Sequence, residues 1–329
     1  MKLTFEQIIS ATNGIVRTEQ SEAGLELHRF TKEQEDFFFK PHPLFCSDSF
    51  YDGYFGKNCR TTAGITLDFI SDAKEFKVEF GNIEFSKNRS ITVHLFDLFL
   101  DDEYVKSYDI KEDVIYKSSG KKHKFSLCFP AFVFPIISSV ELTDATVFLP
   151  QKKSVDVLFL GDSITHGARS LHPSNTYVMR VAKKLNIGIV NQGNSGFVYD
   201  AKSVESVCNP KLVITAYGIN DFRTKNLQMI ESETTEYIKK VKDCYKNAKV
   251  ASILPLWAVW NARDENLYAD KKLCIKSVYE KYSDFIIDGY DLIPHDSKYF
   301  ADDVHPNDDG FAFYGENLSV ELEKILKTL

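Results

Sequence analysis

Hydrophobic and polar residues alternate along much of the chain between residues 64 and 147. A two-residue period places every second side chain on one face, which is typical of antiparallel strands with one buried side. The apolar positions of the four clearest runs are Ile65, Leu67 and Phe69; Phe76, Val78 and Phe80; Ile91, Val93 and Leu95; and Phe125, Leu127 and Phe129. Several short strands at this spacing predict a jelly-roll-like antiparallel β-sandwich, which we assign to an N-terminal domain of residues 1–150.

The first 63 residues show no regular period. Three phenylalanines at 37–39 are followed by Pro41 and Pro43, and the segment 46–55 mixes aromatic residues with turn formers. We interpret this part of the chain as one or two leading strands joined by irregular loops.

The pattern changes after residue 153. A continuous apolar strand at 155–160 is followed by apolar residues at helical spacing, namely Val178, Val181, Ala182 and Leu185. Further strands are predicted at 187–190, 212–216, 250–255 and 285–287, and further helices at 234–246, 272–282 and 309–326. Alternation of buried strands with helices predicts an α/β domain, residues 151–329, in which a parallel sheet lies between two helical layers.

Composition and charge narrow the class of protein. Of the 329 residues, 43% are hydrophobic and 26% charged, which is typical of a globular protein and excludes a disordered chain. Forty basic and 47 acidic residues give a net charge of −7, with no basic block that would favour nucleic acid or an anionic membrane as a partner. The apolar stretch at 129–137 is interrupted by Pro130 and Pro135 and is shorter than the roughly 20 residues of a membrane helix.

The N-terminus and the cysteines bear on localisation. Residues 1–14 lack the apolar core of a secretory signal. The six cysteines are scattered without a CxxC pair, which favours free thiols in a reducing compartment over disulfides or zinc ligands. We therefore expect a cytoplasmic enzyme.

Polar segments follow the predicted strands of the second half. They are Gly-Asp-Ser-Ile-Thr-His-Gly at 161–167, Asn-Gln-Gly-Asn-Ser-Gly at 191–196, Tyr-Gly-Ile-Asn-Asp at 217–221 and, before the last helix, Asp-Asp-Val-His-Pro-Asn at 302–307. In an open parallel sheet, ligands bind beyond the carboxyl ends of the strands. The fold would therefore gather these segments into one crevice.

The four segments resemble, in order, the signature blocks of the SGNH (GDSL) hydrolase family of esterases and lipases. The resemblance covers residues 155–327 and implies a flavodoxin-like, three-layer hydrolase domain. The preceding strands look like the β-sandwich of certain two-domain esterases that act on acetylated carbohydrates. This second similarity is architectural and rests on no motif of its own.

The resemblance implies a nucleophile, a base and an orienting carboxylate. Ser163 matches the family's nucleophilic serine, His305 matches the base, and Asp302 matches the carboxylate that orients the base. The adjacent Asp303 leaves open which of the two carboxylates faces the imidazole. The assignment is chemically sound, because a serine hydroxyl needs a base to take its proton and histidine titrates near neutral pH. A carboxylate on the other ring nitrogen would fix the tautomer.

The resemblance also implies an oxyanion hole formed by Ser163, Gly196 and Asn220. Donors aimed at a developing oxyanion are each worth about 3–4 kcal/mol of the barrier. Taken one at a time, these residues have ordinary alternatives, since serine after a strand is often a helix N-cap and Gly196 and Asn220 suit turns. Their joint occurrence at the strand ends is what favours the catalytic interpretation.

Four further residues are candidates for a substrate pocket. His166 lies close to Ser163 in sequence and has a structural or a substrate-contact role. Trp257 and Trp260 follow the fourth strand and Tyr217 ends the third, where each could line an acyl or sugar pocket or pack in the core. We expect no metal and no cofactor, because metal-ligand spacing is lacking and the 161–167 segment has no phosphate-loop lysine.

The sequence therefore predicts a serine esterase that hydrolyses short-chain esters or acetylated carbohydrates through an acyl-enzyme. The alternatives are a lipase or thioesterase of longer acyl chains and a carbohydrate-binding protein with a vestigial site. The expected partner is a small-molecule ester or acylated carbohydrate, with neither nucleic acid nor membrane, and a homo-oligomer is left open.

Overall fold

The computed structural model describes residues 1–86, 94–262 and 265–329, without the side chains of 261–262 and 265–267. The antiparallel strands are β1 (Thr12–Asn13), β2 (Arg17–Ser21), β3 (Gly24–His28), β4 (Thr66–Ser71), β5 (Glu75–Phe85), β6 (Leu95–Leu100), β7 (Glu103–Asp109), β8 (Val114–Lys117), β9 (His123–Cys128), β10 (Val133–Thr143) and β11 (Phe148–Pro150). The parallel strands are β12 (Val157–Gly161), β13 (Ile189–Gly193), β14 (Leu212–Ala216), β15 (Lys249–Ile253) and β16 (Phe285–Ile287).

Helices connect and cover these strands. The α-helices are α1 (Phe5–Ala11), α2 (Lys32–Phe39), α3 (Tyr54–Cys59), α4 (Ser163–His166), α5 (Tyr177–Leu185), α6 (Ile219–Thr224), α7 (Leu227–Cys244), α8 (Val259–Ala262), α9 (Glu265–Tyr282) and α10 (Asp308–Leu326). Short 3₁₀ helices occupy Ser49–Tyr51, Pro173–Asn175, Ala201–Ser203, Gly289–Asp291 and Ser297–Tyr299. Within the described residues, none of the helices has both the length and the apolar character that crossing a bilayer requires.

Two antiparallel sheets form the predicted β-sandwich. One sheet has the order β1-β4-β9-β6-β7, with β11 also paired to β4, and the other has the order β2-β3-β10-β5-β8. Ring pairs join the two inner faces, with centroids 5.2 Å apart for Phe69 and Phe76 and 4.7 Å apart for Phe80 and Phe96. The sandwich prediction is thus confirmed. The part of the predicted strand at Ile91 and Val93 lies outside the described residues.

The interpretation of residues 1–63 as strands and irregular loops was wrong in one respect, because three helices form there. Helices α1 and α2 each begin with a capping box, in which Thr4 pairs with Gln7 and Thr31 with Gln34. Such a box satisfies the backbone amides of the first turn, and it stabilises helices too short to show a clear apolar period. Apolar residues of α2 and α3 share one core with the parallel sheet. The division of the chain at residues 150 and 151 stays a prediction.

The parallel sheet has the strand order β13-β12-β14-β15-β16, which is the flavodoxin-like order 2-1-3-4-5. Alternate residues of β12 face opposite helical layers. Leu158 and Leu160 pack in the core that includes α7 and α9, whereas Val157 and Phe159 pack in the core that includes α5 and α10. The three-layer α/β prediction is confirmed. The carboxyl ends of β12, β13 and β14 come together at one edge, where the candidate site lies.

A buried arginine joins the N-terminal part of the chain to this edge. The Arg29 guanidinium has no exposed surface and donates hydrogen bonds to the carbonyl oxygens of Thr61 at 2.6 Å and Gly193 at 3.2 Å, and also to that of Asn191. Burial lowers the pKa of Arg29 to about 9, so the group remains cationic at neutral pH. The cation thereby fixes the end of β13 against the segment that follows β3.

Candidate active site

Ser163 is positioned by the turn between β12 and α4. Gly161 ends the strand, and a Cβ at this position would lie 2.0 Å from Oγ1 of Thr165, so the turn requires glycine there. The Asp162 carboxylate caps α4 by accepting the Ile164 amide at 3.0 Å. Ser163 is therefore the first residue of the helix, where its amide has no intrahelical acceptor. Its side chain points toward the segment that precedes α10.

Ser163, His305 and Asp302 form a continuous chain of hydrogen bonds. Oγ of Ser163 lies 2.8 Å from Nε2 of His305. Nδ1 of His305 lies 3.0 Å from both carboxylate oxygens of Asp302. The segment is shaped by a bond from the Ala301 amide to the His305 carbonyl oxygen, at 2.9 Å. The structure thus brings together the three residues that the sequence pointed to, although 142 positions separate the serine from the histidine.

The carboxylate of Asp302 contacts the imidazole. Oδ1 of Asp302 also accepts the amides of Val304 at 2.9 Å and His305 at 2.8 Å. Partial burial opposes ionisation, but the His305 ring and these amides outweigh it and hold the pKa of Asp302 well below its usual range. The contact described for Asp303 is different, because its carbonyl oxygen accepts the Trp260 amide at 3.1 Å.

Gly196 and Asn220 lie in neighbouring loops at the same sheet edge. The loop after β13 is tied to the end of β12 by the bond from the Asn194 amide to the Gly161 carbonyl oxygen, at 2.8 Å. Nδ2 of Asn220 donates to the Phe197 carbonyl oxygen at 3.0 Å, leaving its second N–H for another acceptor. Gly196 has φ +78°, which favours glycine. Both residues are thus placed at the carboxyl ends of the strands that flank β12.

His166 is hydrogen-bonded to the loop that follows β13. The ring is fully buried, its Nε2 lies 2.8 Å from the Ala131 carbonyl oxygen, and its Nδ1 accepts the Ser195 amide at 3.3 Å. Burial, together with the Arg29 charge, holds the pKa of His166 well below its usual range, so the ring is neutral. The structure therefore places His166 in a structural position, and the substrate-contact alternative is wrong because no ring surface is accessible.

The other predicted pocket residues differ in exposure. Tyr217 is 4% exposed and packs against Tyr199 and Tyr237, while Trp257 is 8% exposed and stacks on His295. Both side chains are nearly buried, and Tyr217 also lines a small cavity of about 20 Å³ beside Asp162. Trp260 is partly buried against Tyr268 and is joined through its amide to Asp303. It is the member of this group that lies beside the Asp302–His305 segment.

Two contacts at the site join residues that are distant in the sequence. Arg169 Nε donates to Oδ2 of Asp302 at 2.9 Å. Tyr54, from the N-terminal part, lies with its hydroxyl 3.3 Å from Oγ of Ser195, and its ring would be 3.3 Å from a Cβ at position 196. No local signal marks either residue, because each reaches the site from a distant part of the chain.

Two other features lie away from this site. A cavity of about 660 Å³ between the sandwich and α5 has four lysines in its lining, and neither Ser163 nor His305 borders it. In the described part of the chain, Glu19, Glu26 and His28 bring ligand atoms within 4.8 Å of one another. Arginines already pair with both of these glutamates. Neither feature contributes a group to the hydrogen-bonded chain at Ser163.

The Asp162 carboxyl is fully buried beside Ser163. Burial raises its pKa to about 7, and the nearby Asp221 charge adds to this effect while the Ile164 amide opposes it. In the unfolded chain the group ionises near pH 4. Between about pH 4 and pH 7 unfolding therefore releases a proton, and stability falls as the pH rises through this interval.

We expect Asp162→Asn to remove this loss of stability, because the amide can still cap α4 through its oxygen but never ionises. At about 1.4 kcal/mol per pKa unit, the gain in the free energy of unfolding relative to the parent protein is on the order of 4 kcal/mol at pH 8 and small at pH 4. Urea denaturation at both pH values measures it. Asp291→Asn, at a side chain that is 81% exposed, is the control. A gain that did not depend on pH would contradict the prediction.

Residues 159–313 match the model of a family described as GDSL-like Lipase/Acylhydrolase. A search of curated proteins found no match. Among solved structures, the chain resembles the salicylyl-acyltransferase SsfX3 from a tetracycline biosynthetic pathway, at 14% identity and a TM-score of 0.78 over 95% of this chain and 94% of that one.

Two further structures have the same fold over nearly the whole chain. One is a putative GDSL-like lipase from Bacteroides ovatus, at 15% identity and a TM-score of 0.76, covering 99% of this chain and 98% of that one. The other is an acetyl xylan esterase, Est2A, from the rumen bacterium Butyrivibrio proteoclasticus, at 13% identity and a TM-score of 0.64 with the same coverage. At such identities the likeness concerns the fold.

Proposed function

We propose that the chain is an ester-bond hydrolase that cleaves short-chain esters or acetylated carbohydrates through an acyl-enzyme on Ser163. The match of residues 159–313 to the GDSL-like lipase/acylhydrolase family model supports this proposal. The observation that carries the proposal is the chain of contacts from Oγ of Ser163 to His305, at 2.8 Å, and from His305 to Asp302, at 3.0 Å. This is the arrangement by which a histidine activates a hydroxyl.

In the first half of the reaction, Oγ of Ser163 attacks the ester carbonyl carbon while Nε2 of His305 takes the hydroxyl proton. The carbonyl π electrons move to oxygen and form a tetrahedral oxyanion. When the oxyanion collapses, the bond to the alcohol oxygen breaks, and the proton on His305 passes to the leaving alkoxide. Asp302 stabilises the transient imidazolium and keeps Nδ1 protonated.

In the second half, water attacks the acyl-enzyme and His305 accepts its proton. Collapse of the second tetrahedral intermediate breaks the bond between the acyl carbon and Oγ, and the proton returns to Ser163. The partial exposure of the His305 and Asp302 side chains, 23% and 30%, supports access of water to this point. The products are a carboxylic acid and an alcohol.

The oxyanion would be stabilised by the amides of Ser163 and Gly196 and by the free N–H of Asn220. Donors held in place before the reaction stabilise developing charge without a reorganisation cost. The Asn220 side chain is held in this way by its bond to the Phe197 carbonyl oxygen. The Tyr54 ring packs close to Gly196. This contact limits the space beside the ester carbonyl of a bound substrate and favours a small acyl group.

A chain-length series tests the substrate class. With p-nitrophenyl esters we expect kcat/KM to be highest for acetate or butyrate and to fall about tenfold or more by octanoate, because a short acyl site rejects added methylenes. Acetylated xylo- and mannooligosaccharides should release acetate. Activity that rose with chain length would favour a lipase or thioesterase, and sugar binding without turnover would favour a vestigial site.

Asn220→Ala tests the oxyanion hole. Loss of one preorganised donor should lower kcat by about 10²–10³-fold, with a smaller change in KM. Steady-state kinetics with p-nitrophenyl acetate measures the effect. Asn317→Ala is a matched control, because that side chain also donates to a backbone carbonyl oxygen at 3.0 Å but lies on α10. An unchanged kcat in Asn220→Ala would remove the residue from the hole.

A further inference from the structure

The loop that follows the nucleophile helix, residues 167–174, reaches the carboxylate of the proposed triad. It leaves α4 at Gly167 and leads into α5. From this loop, Nε of Arg169 donates to Oδ2 of Asp302 at 2.9 Å, and both side chains are 30% exposed. The loop that follows the helix of Ser163 therefore supplies a cation to the residue that orients His305.

The hydrogen bonds of Asp302 show what this cation adds. Oδ1 accepts two amides, from Val304 and His305, and both belong to the same tight turn as Asp302. Oδ2 accepts Nε of Arg169, which is the described contact from outside that turn. Nδ1 of His305 faces both oxygens equally, at 3.0 Å. Rotation of the carboxylate about its Cβ–Cγ bond would therefore disturb the imidazole, and Arg169 opposes that rotation.

The backbone of Arg169 has an unfavourable conformation. Its φ is +73°, in the left-handed region that residues other than glycine rarely adopt. Strained backbone of this kind persists only where the surrounding contacts enforce it, and it is often found at functional sites. Arg169 adopts this strained backbone conformation in the same structure in which its guanidinium group donates to Asp302.

Contacts on the C-terminal side of Arg169 enforce this conformation. Oγ of Ser170 and the amide of Leu171 donate to Oδ1 of Asp308, at 2.6 and 3.0 Å. Farther along, the amide and hydroxyl of Ser174 donate to Oδ2 of Asp97, at 3.1 and 2.6 Å. Asp97 is fully buried in strand β6 of the sandwich. The loop is thus held both by the helix that follows His305 and by the N-terminal sandwich.

We propose that Arg169 is a positioning residue for the reaction, holding the Asp302 carboxylate in the orientation that directs Nε2 of His305 at Ser163. This inference rests on the proposed function. It assigns no contact with substrate to Arg169, which acts through Asp302 alone. It also gives the sandwich a part in catalysis, because Asp97 anchors the loop that carries the arginine.

Three variants, Arg169→Gln, Arg169→Gly and Arg169→Lys, test the proposal with p-nitrophenyl acetate. Loss of the guanidinium in the Gln and Gly variants should lower kcat by about 10–100-fold, the scale expected for misplacing a catalytic group by about 1 Å, while KM stays within about twofold. Arg169→Lys should recover part of kcat, because it restores the positive charge without the planar Nε–H donor.

The glycine variant separates positioning from stability. Glycine adopts a positive φ without strain, so Arg169→Gly should unfold at the same temperature as the parent protein or higher while kcat falls. Arg180→Gln is a matched control, because that arginine also donates through Nε, to the Asn175 carbonyl oxygen at 2.9 Å, but does not touch the triad.

Three outcomes would overturn the proposal: kcat unchanged in both Arg169→Gln and Arg169→Gly, a loss of kcat that followed a loss of thermal stability, or a rise in KM alone, which would indicate substrate binding. The proposed function is tested separately by Ser163→Ala. An inactive Ser163→Ala together with fully active Arg169 variants would refute the positioning role and leave the proposed function standing.

Discussion

Replacing Ser163 with alanine should abolish ester hydrolysis. In the proposed mechanism the hydroxyl forms the bond to the acyl carbon, and neither His305 nor the oxyanion donors can substitute for that bond. The expected loss in kcat is roughly 10⁶-fold, the scale seen when a serine hydrolase loses its nucleophile. Ser163 is 4% exposed and packs at the start of α4, and the change removes a single oxygen atom, so the fold should be retained.

The measurement combines initial rates, intact-protein mass spectrometry and circular dichroism. The parent protein should gain the mass of an acyl group when it is quenched during turnover of a slow ester, and Ser163→Ala should not. Ser203→Ala is the control, because this serine is also buried, at 6% exposure, and its hydroxyl donates to the Asp200 carbonyl oxygen away from the triad. Retained turnover in folded Ser163→Ala would exclude Ser163 as the nucleophile.

The second large effect is expected from Asp302→Asn. The ionised carboxylate accepts a hydrogen bond from the Nδ1–H group of His305. Nε2 is therefore unprotonated and can act as the base toward Ser163. An amide can instead present its NH₂ group to Nδ1 and favour the wrong tautomer, which lowers kcat by about 10⁴-fold in enzymes with this arrangement. Because the surrounding donors keep the pKa of Asp302 low, the carboxylate should be ionised over the whole working pH range.

Asp303→Asn provides the comparison that the sequence left open. The adjacent residue has the same charge, but it is the Asp302 carboxylate that lies 3.0 Å from the imidazole. We expect kcat of Asp303→Asn to stay within about tenfold of the parent value, because the Asp302 carboxylate at Nδ1 of His305 is still present in this variant. If kcat fell more in Asp303→Asn than in Asp302→Asn, the orienting role would have to be reassigned.

The hydrolase half was largely predictable because strands β12 and β13 are buried on both faces and strands β14 and β15 nearly so. Strands β14 and β16 have the predicted bounds, since continuous apolar runs end abruptly at polar residues. Helices α7 and α9 begin seven residues earlier than predicted, at Leu227 and Glu265, because polar residues at 231–236 and at 270–272 interrupt the helical period of apolar positions. The N-terminal helices were not predicted for a related reason. Helix α1, for example, spans only two turns, which is too short for a clear apolar period.

Strand order predicted the part of the candidate site that follows strands, whereas Asp302 and His305, which precede α10, were predicted from the family resemblance. Ser163, Gly196 and Asn220 follow strands, and strand order alone brings them to one edge of the sheet. Tyr217 and Trp257 are also close to strand ends, but their side chains turn into the core, and residue type does not reveal that direction. The role of Arg169 was not predictable from the sequence, because its partner Asp302 lies 133 positions away.

The Arg29 guanidinium has a consequence for how such a protein can be divided. Its acceptors include the carbonyl oxygens of Asn191 and Gly193, so part of the catalytic half is completed by a charge from the other half. A fragment starting at residue 151 would lose that cation and expose the apolar surface that α2 and α3 cover. Recombination that exchanged the two halves between homologues would therefore need to preserve this arginine and its oxygen acceptors together.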